Sequence, residues 1–250
     1  KEALTAFDYA VLIDESFVGG YLEKAKTLEQ LGQYQDAIDN YLITIELDDP
    51  TAYVYIRIGE CYEKLGKLGA AVSYYKKAVH EDPFLDKGWI LLTNLYFDQE
   101  NYQKAAYYIT KALKIDEDNA LYWRRYAEIN LKLSFFEEAV IGFNSCLKLG
   151  DNSIEICMGL VDVLSFLGAF NDALKVLLAA QKTHKNFAEV EYRLVGLFFV
   201  LSKEKFACAH LISAMKIDYE YHIILNELYP SVFENAAIQK LLVDYKKATE

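Results

Sequence analysis

The sequence predicts an all-α fold, a solenoid of stacked helix pairs. Three observations carry this reading. Alanine recurs at Ala3, Ala37, Ala71, Ala105, Ala139, Ala173 and Ala207, each interval being 34 residues with no insertion or deletion. Seven positions later runs a second column of small residues: Ala10, Thr44, Ala78, Ala112, Cys146, Ala180 and Ala214. Between the two lies a large apolar column: Phe7, Tyr41, Tyr75, Ile109, Phe143, Leu177 and Leu211. Spacings of three, four and seven place residues on one face of a helix. Small side chains let two helix backbones approach, and the large ones fill what remains. A single helix pair cannot bury such a face, so neighbours must stack.

Residues 1–17 read as a lone second helix whose first-helix partner is missing, as in a truncated upstream repeat. Its apolar face (Leu4, Phe7, Val11) is then expected to lie open, so that the helix frays or docks on a second molecule. Residues 18–219 read as six full repeats. The first carries Tyr21, Leu28, Gly32, Tyr34 and Ala37, and Asp48-Asp49-Pro50 ends its second helix. In the second, Tyr55, Ile58, Gly59 and Tyr62 share one face of a first helix closed by Gly66. Ala71, Tyr75 and Ala78 share a face of the helix that follows, which Asp82-Pro83 ends. The third has Trp89, Leu92, Tyr96, Ala105 and Ala112, with Glu100-Asn101 in place of the usual glycine; Asn101 is the residue expected to turn left-handed. The fourth has Trp123, Ala127, Ala139 and Cys146, with Ser134 at the glycine position.

The fifth and sixth repeats drift. Cys157 and Glu191 stand where the earlier repeats carry Tyr or Trp, and Val161 and Val195 replace a small residue of the first helix. Residues 220–250 read as a cap: a short helix over 221–229, then a helix with Ser231 as N-cap. The expected apolar stripe of that helix is Val232, Phe233, Ala236, Ala237, Leu241, Leu242 and Tyr245.

The columns resemble the tetratricopeptide repeat (TPR), and the resemblance covers nearly all of residues 1–219. It implies a right-handed superhelical solenoid of antiparallel helix pairs with a C-terminal capping helix. It also implies a protein–protein interaction scaffold whose first helices line a concave groove.

Composition narrows the class further. The chain has 250 residues, 53% hydrophobic and 25% charged, and only three prolines. With the even period, this reads as one continuous array without a linker. Net charge is −11, against the basic face a nucleic-acid binder needs, so no nucleic-acid partner is expected. No apolar run is long enough to span a bilayer, and no membrane partner is expected. The four cysteines form no C-x-x-C pair and read as reduced, buried thiols. They favour a reducing compartment, and a cytoplasmic location is the expectation.

No catalytic constellation, cofactor motif or metal-ligand spacing is present, so no enzyme, cofactor or metal is expected. The residues left over from packing are the best guide to function. Mapped through the period, they place Tyr53, Ile56, Glu60, Glu63, Ile90, Asn94, Phe97, Arg124 and Glu128 on the concave face. Tyr53, Ile56, Ile90 and Phe97 read as apolar anchors. Glu60, Glu63 and Glu128 supply negative charge, and Glu63→Ala is expected to cost under about 0.5 kcal/mol. Arg124 reads either as a reader of a partner carboxylate or as the i,i+4 mate of Glu128. The Lys/Asn clamp by which some members hold chaperone tails is absent: Leu22/Lys26 and Ile56/Glu60 stand at its positions. The expected partner is a protein or peptide, neutral or basic, with apolar side chains. The alternatives are a structural or oligomerisation module, self-associating through its N-terminal edge, or a regulatory region whose effector domain lies elsewhere.

Overall fold

The computed structural model describes residues 2–249. Lys1 and Glu250, the ends of the expected first and last segments, lie outside the described residues. The chain falls into two compact units, Lys1–Leu133 and Ser134–Glu250, divided within the fourth repeat. No strand occurs among the described residues.

The first unit holds eight helices: α1 (Glu2–Ile13), α2 (Val18–Gln30), α3 (Tyr34–Leu47), α4 (Ala52–Lys64), α5 (Leu68–Glu81), α6 (Asp86–Asp98), α7 (Tyr102–Ile115) and α8 (Ala120–Lys132). Each packs on the next. The second holds α9 (Phe136–Lys148), α10 (Ile154–Phe166), α11 (Phe170–Thr183), α12 (Ala188–Val200) and α13 (Glu204–Ile217), again packed in succession. A 3-10 turn (Glu220–His222), α14 (Ile223–Leu228) and α15 (Pro230–Phe233) return onto α12, and α16 (Ala236–Thr249) lies on α13.

The period is visible in the turns. Gly32, Gly66, Glu100, Ser134, Gly168 and Ser202, 34 residues apart, all have positive φ, between 57° and 77°. The left-handed residue lets the next N–H reach the carbonyl five residues back: Gln33 to Leu28, Lys67 to Tyr62 and Asn101 to Tyr96, each at 2.9 Å. This closes the helix end by the Schellman pattern. Glu100 therefore takes the left-handed turn expected of Asn101. Asn101 instead caps α7, its side chain accepting from Lys104 N–H at 3.3 Å.

Packing follows the small columns. Ala37, Ala71, Ala105, Ala139, Ala173 and Ala207 are completely buried, as are Tyr41 and Tyr75 beside them. The approach is close at Gly59, where a Cβ would sit 2.4 Å from the Tyr75 ring. In the fifth repeat Val161 is buried where smaller residues stand earlier, and Gly159 provides the gap, facing Phe143. Helix packing at native density tolerates such a shift only when large and small residues exchange places. Among the described residues there is no disulfide. Burial pushes the Cys61 thiol up to about 12 and raises that of Cys157, so both behave as small apolar side chains.

Two expectations at the ends are corrected. The face of α1 formed by Leu4, Phe7 and Val11 is partly covered by α2, where Gly20 leaves room for Val11. The exposed side is instead Tyr9, Leu12 and Ile13. At the other end Ser231 is no N-cap. It lies inside α15, whose first residue is Pro230, a place where the missing N–H costs nothing. Asn235 starts α16, its Oδ1 accepting from Ala237 N–H at 2.9 Å and Ile238 N–H at 3.3 Å. Val232 and Phe233 thus belong to α15, and the buried residues of α16 are Ile238 and Leu242.

Candidate functional site

Asn94 on α6 and the first turns of α8 form a groove in the first unit. It holds about 490 Å³ and is lined by Ile90, Asn94, Leu121, Tyr122, Arg124, Arg125 and Glu128. Four of the nine residues expected at the concave face meet here. Arg124 Nε donates to Glu128 at 3.2 Å, so the local-pair reading of Arg124 holds in this structure. Arg125, absent from the expected set, also donates to Glu128, at 3.0 Å, and covers the Phe97 ring with its guanidinium 4.6 Å from the centroid. The Tyr122 hydroxyl donates to Asp86 at 2.6 Å. Asn94 Oδ1 is buried and accepts no hydrogen bond. Such an orphaned acceptor costs about 1–3 kcal/mol unless a donor reaches it.

A neighbouring groove of about 370 Å³ is lined by Glu29, Tyr34, Arg57, Glu60, Glu63, Lys64 and Leu91. Its carboxylates are already engaged. Arg57 pairs with Glu29 and, at 2.6 Å, with Glu60. Lys87 adds a second cation to Glu60 at 2.9 Å. The buried Tyr41 hydroxyl donates to Glu29 at 3.0 Å and the buried Tyr75 hydroxyl to Glu63 at 2.7 Å. Burial, and then the adjoining carboxylate, raise the Tyr75 pKa well above the ordinary phenol range. Glu63 is therefore not the free surface carboxylate that its expected small cost assumed. The pairing has a signal in the sequence: glutamate stands at 29 and 63, where the second helix offers Tyr41 and Tyr75. Phe97 stands where it offers Ile109.

The remaining expected residues divide. Tyr53 is exposed, with Lys26 Nζ 5.7 Å from its ring centroid. Phe97 packs edge-on against Tyr102. Ile56 is only 1% exposed, in a core cluster with Ala52 and Ala78 and against Leu85 and Leu91. It is a packing residue and not an open anchor, because the following repeat covers it. Arg57, Arg125 and Arg193 recur every second repeat on one register, a signal that the expected set missed.

In the second unit the same inner registers are filled from within the chain. Gly196 occupies the register of Asn94, and a Cβ there would lie 2.2 Å from the Tyr229 ring. The Tyr221 hydroxyl donates to Glu189 at 3.0 Å, and the buried Tyr192 hydroxyl to the Asp218 carbonyl at 3.0 Å. Arg193, buried, pairs with Asp162 and with Glu189 at 2.8 Å. No helix among the described residues is long and apolar enough to cross a membrane.

Comparison with known proteins agrees with this architecture. Residues 22–86 and 87–119 each match a family model described as tetratricopeptide repeat. The Hsp70-Hsp90 organizing protein of Triticum aestivum is 29% identical over 97 residues, 39% of this chain and 17% of that protein. The chain thus spans under a fifth of the length of that relative. Among solved structures, YrrB, described as a TPR protein with an unusual peptide-binding site, superposes with a TM-score of 0.63 at 20% identity, covering 75% of this chain and 96% of that one. The C-terminal part of a TPR repeat-containing protein from Cytophaga hutchinsonii gives a TM-score of 0.70 at 13% identity, covering 96% and 93%. Period, left-handed turns, packing columns and these likenesses agree: residues 22–119 are tetratricopeptide repeats, and the chain has the fold of a tetratricopeptide-repeat protein.

Proposed function

We propose that the chain is an interaction scaffold whose first unit binds an extended protein segment in the groove around Asn94. The observation that carries this reading is the buried, unpartnered Oδ1 of Asn94, a residue that lines that groove. A peptide N–H is the natural donor to it. Ile90 and Leu121 supply apolar contact on either side, and aliphatic and aromatic side chains suit them. The register of Asn94 receives a chain segment in cis at Gly196, where Tyr229 seats, and this supports the idea that the register accepts polypeptide. Glu128 in this groove and Glu60 in the neighbouring one are paired with cations of the chain, so no strongly basic partner is needed to offset them. With an overall charge of −11, the favoured segment is neutral or basic and carries apolar side chains.

The test is selection of random displayed peptides on the full chain, followed by calorimetric titration of the enriched peptides. Asn94→Leu, close in shape, should weaken them at least about tenfold, the value of one lost buried hydrogen bond. Leu121→Glu should do the same. Peptides that bind both variants as tightly as the parent would contradict the reading, as would a selection that enriches nothing.

A second reading rests on α1, where Tyr9, Leu12 and Ile13 are 63%, 74% and 86% exposed along one helix. Self-association through this edge would cover them. Light scattering should then show a concentration-dependent mass that Leu12→Ser/Ile13→Ser abolishes. An unchanged mass in that variant contradicts it.

A further inference from the structure

The large residue near the start of each first helix is Tyr21, Tyr55, Trp89 and Trp123 in the first four repeats, then Cys157 and Glu191. Nineteen residues further on, the second helix presents its mate. In the second and third repeats the two are rings in contact: Tyr55 with Tyr74 at 6.2 Å and Trp89 with Tyr108 at 6.1 Å between centroids. In the sixth they are a hydrogen-bonded pair, His210 Nδ1 lying 2.7 Å from Glu191. In the fifth they are Cys157 and Val176, two small side chains where the third repeat has two rings. There the structure has a cavity of about 250 Å³, walled by Cys157, Val176, Leu147 and Ala179, with Asn152 and Thr183 at its exposed rim.

We propose that this cavity is a binding site for an indole ring. The occupant is argued from the chain itself, since the equivalent slot of the third repeat is filled by the indole of Trp89. The size agrees: an apolar cavity of about 150 Å³ holds benzene, so the larger space here admits a bicyclic ring. The polar requirement agrees as well. Trp89 Nε1 donates to the carbonyl six residues upstream, that of Pro83, at 2.9 Å, and Trp123 Nε1 to that of Glu117 at 2.7 Å. The counterpart for a ring in the Cys157 slot is the carbonyl of Asp151. The adjoining rim is held in place, His184 Nε2 lying 2.7 Å from the Asn152 carbonyl. The buried thiol of Cys157 is a wall of the site and takes no chemical part.

The experiment is a methyl-NMR titration of the full chain, reading Leu147, with two probes: free indole and N-acetyl-tryptophanamide. Saturable shifts with a Kd on the order of 0.1–1 mM are expected for a ligand of this size. C157W should fill the slot, keep a melting temperature no lower than the parent, and weaken the probe at least tenfold. Val176→Tyr, which installs the ring that the third repeat carries at Tyr108, is the second filling variant and decides alone where C157W does not fold. Binding of indole only assigns the site to a free aromatic molecule, and binding of both probes to a tryptophan side chain of a partner; either supports the proposal. Absence of a saturable shift in the parent overturns it, and so does undiminished binding by the folded filling variants.

Discussion

Residues 94 and 196 share a register but not a fate. In the first unit Asn94 lines an open groove with an unanswered acceptor. In the second, Gly196 is covered by Tyr229 from the chain's own C-terminal segment. The backbone scaffold is the same, so the difference lies in the side chains. A glycine removes the Cβ and admits an aromatic ring, whereas an asparagine keeps a hydrogen-bonding edge. The same lesson holds for the aromatic slot, which is ring on ring at Trp89, a cavity at Cys157 and a polar hydrogen-bonded pair at Glu191. A repeat fold fixes where a slot is, and each repeat then decides what fills it.

The largest expected effect breaks the polar version of the slot. Glu191 is 8% exposed and is held by His210 and by Gln181 Nε2 at 2.6 Å. Glu191→Ala leaves both partners unanswered and should cost about 2–3 kcal/mol in chemical denaturation. Burial would raise this carboxyl's pKa, but the bonds from His210 and Gln181 outweigh it and hold the group below its usual range. The sign follows. A depressed folded value contributes stability above the unfolded carboxylate value, about 4.3, and that contribution disappears as pH falls through the folded value. The parent should therefore lose stability in acid more steeply than the variant. Parallel acid profiles would show that the pair does not couple to folding.

Next come three substitutions in the first unit. Ala71→Leu forces a large side chain into a fully buried small position and should cost about 1–3 kcal/mol. Glu63→Ala removes the acceptor of a buried phenol and should cost about 1–2 kcal/mol, whereas Glu128→Ala, in a partly exposed pair, should cost under about 1 kcal/mol. Equal losses for Glu63 and Glu128 would mean that Tyr75 does not depend on Glu63. The last effect is a gain. Glu100→Gly in the first unit and Ser202→Gly in the second relieve a left-handed residue that carries a side chain, and each should stabilise by about 1 kcal/mol. Thermal melts check both, and a loss in either would contradict the turn assignment.

The framework was legible in the sequence because steric size repeats at a fixed period. The alanine columns, the helix ends and the glycine-like turns follow from local geometry and from one neighbouring helix. Contacts between helices were not legible from a column read singly. Ile56 is buried by Leu85 and Leu91 from beyond its own helix pair, and Glu63 is tied to Tyr75 across the pair. Reading two columns together would have found the Glu–Tyr pairing, the alternate arginines and the paired slots of Trp89/Tyr108 and Glu191/His210. Ser231 misled because Pro230 and Asn235 both start helices within a few residues of it.

The central claim is that the groove around Asn94 receives a polypeptide segment. The direct measurement is NMR mapping of a selected peptide on the full chain, reading the Asn94 side-chain amide with the Ile90 and Leu121 methyls. The account predicts saturable shifts at all three with a single affinity, and their loss in Asn94→Leu at Ile90 and Leu121. Shifts confined to other faces, with these three unmoved at saturation, would contradict it.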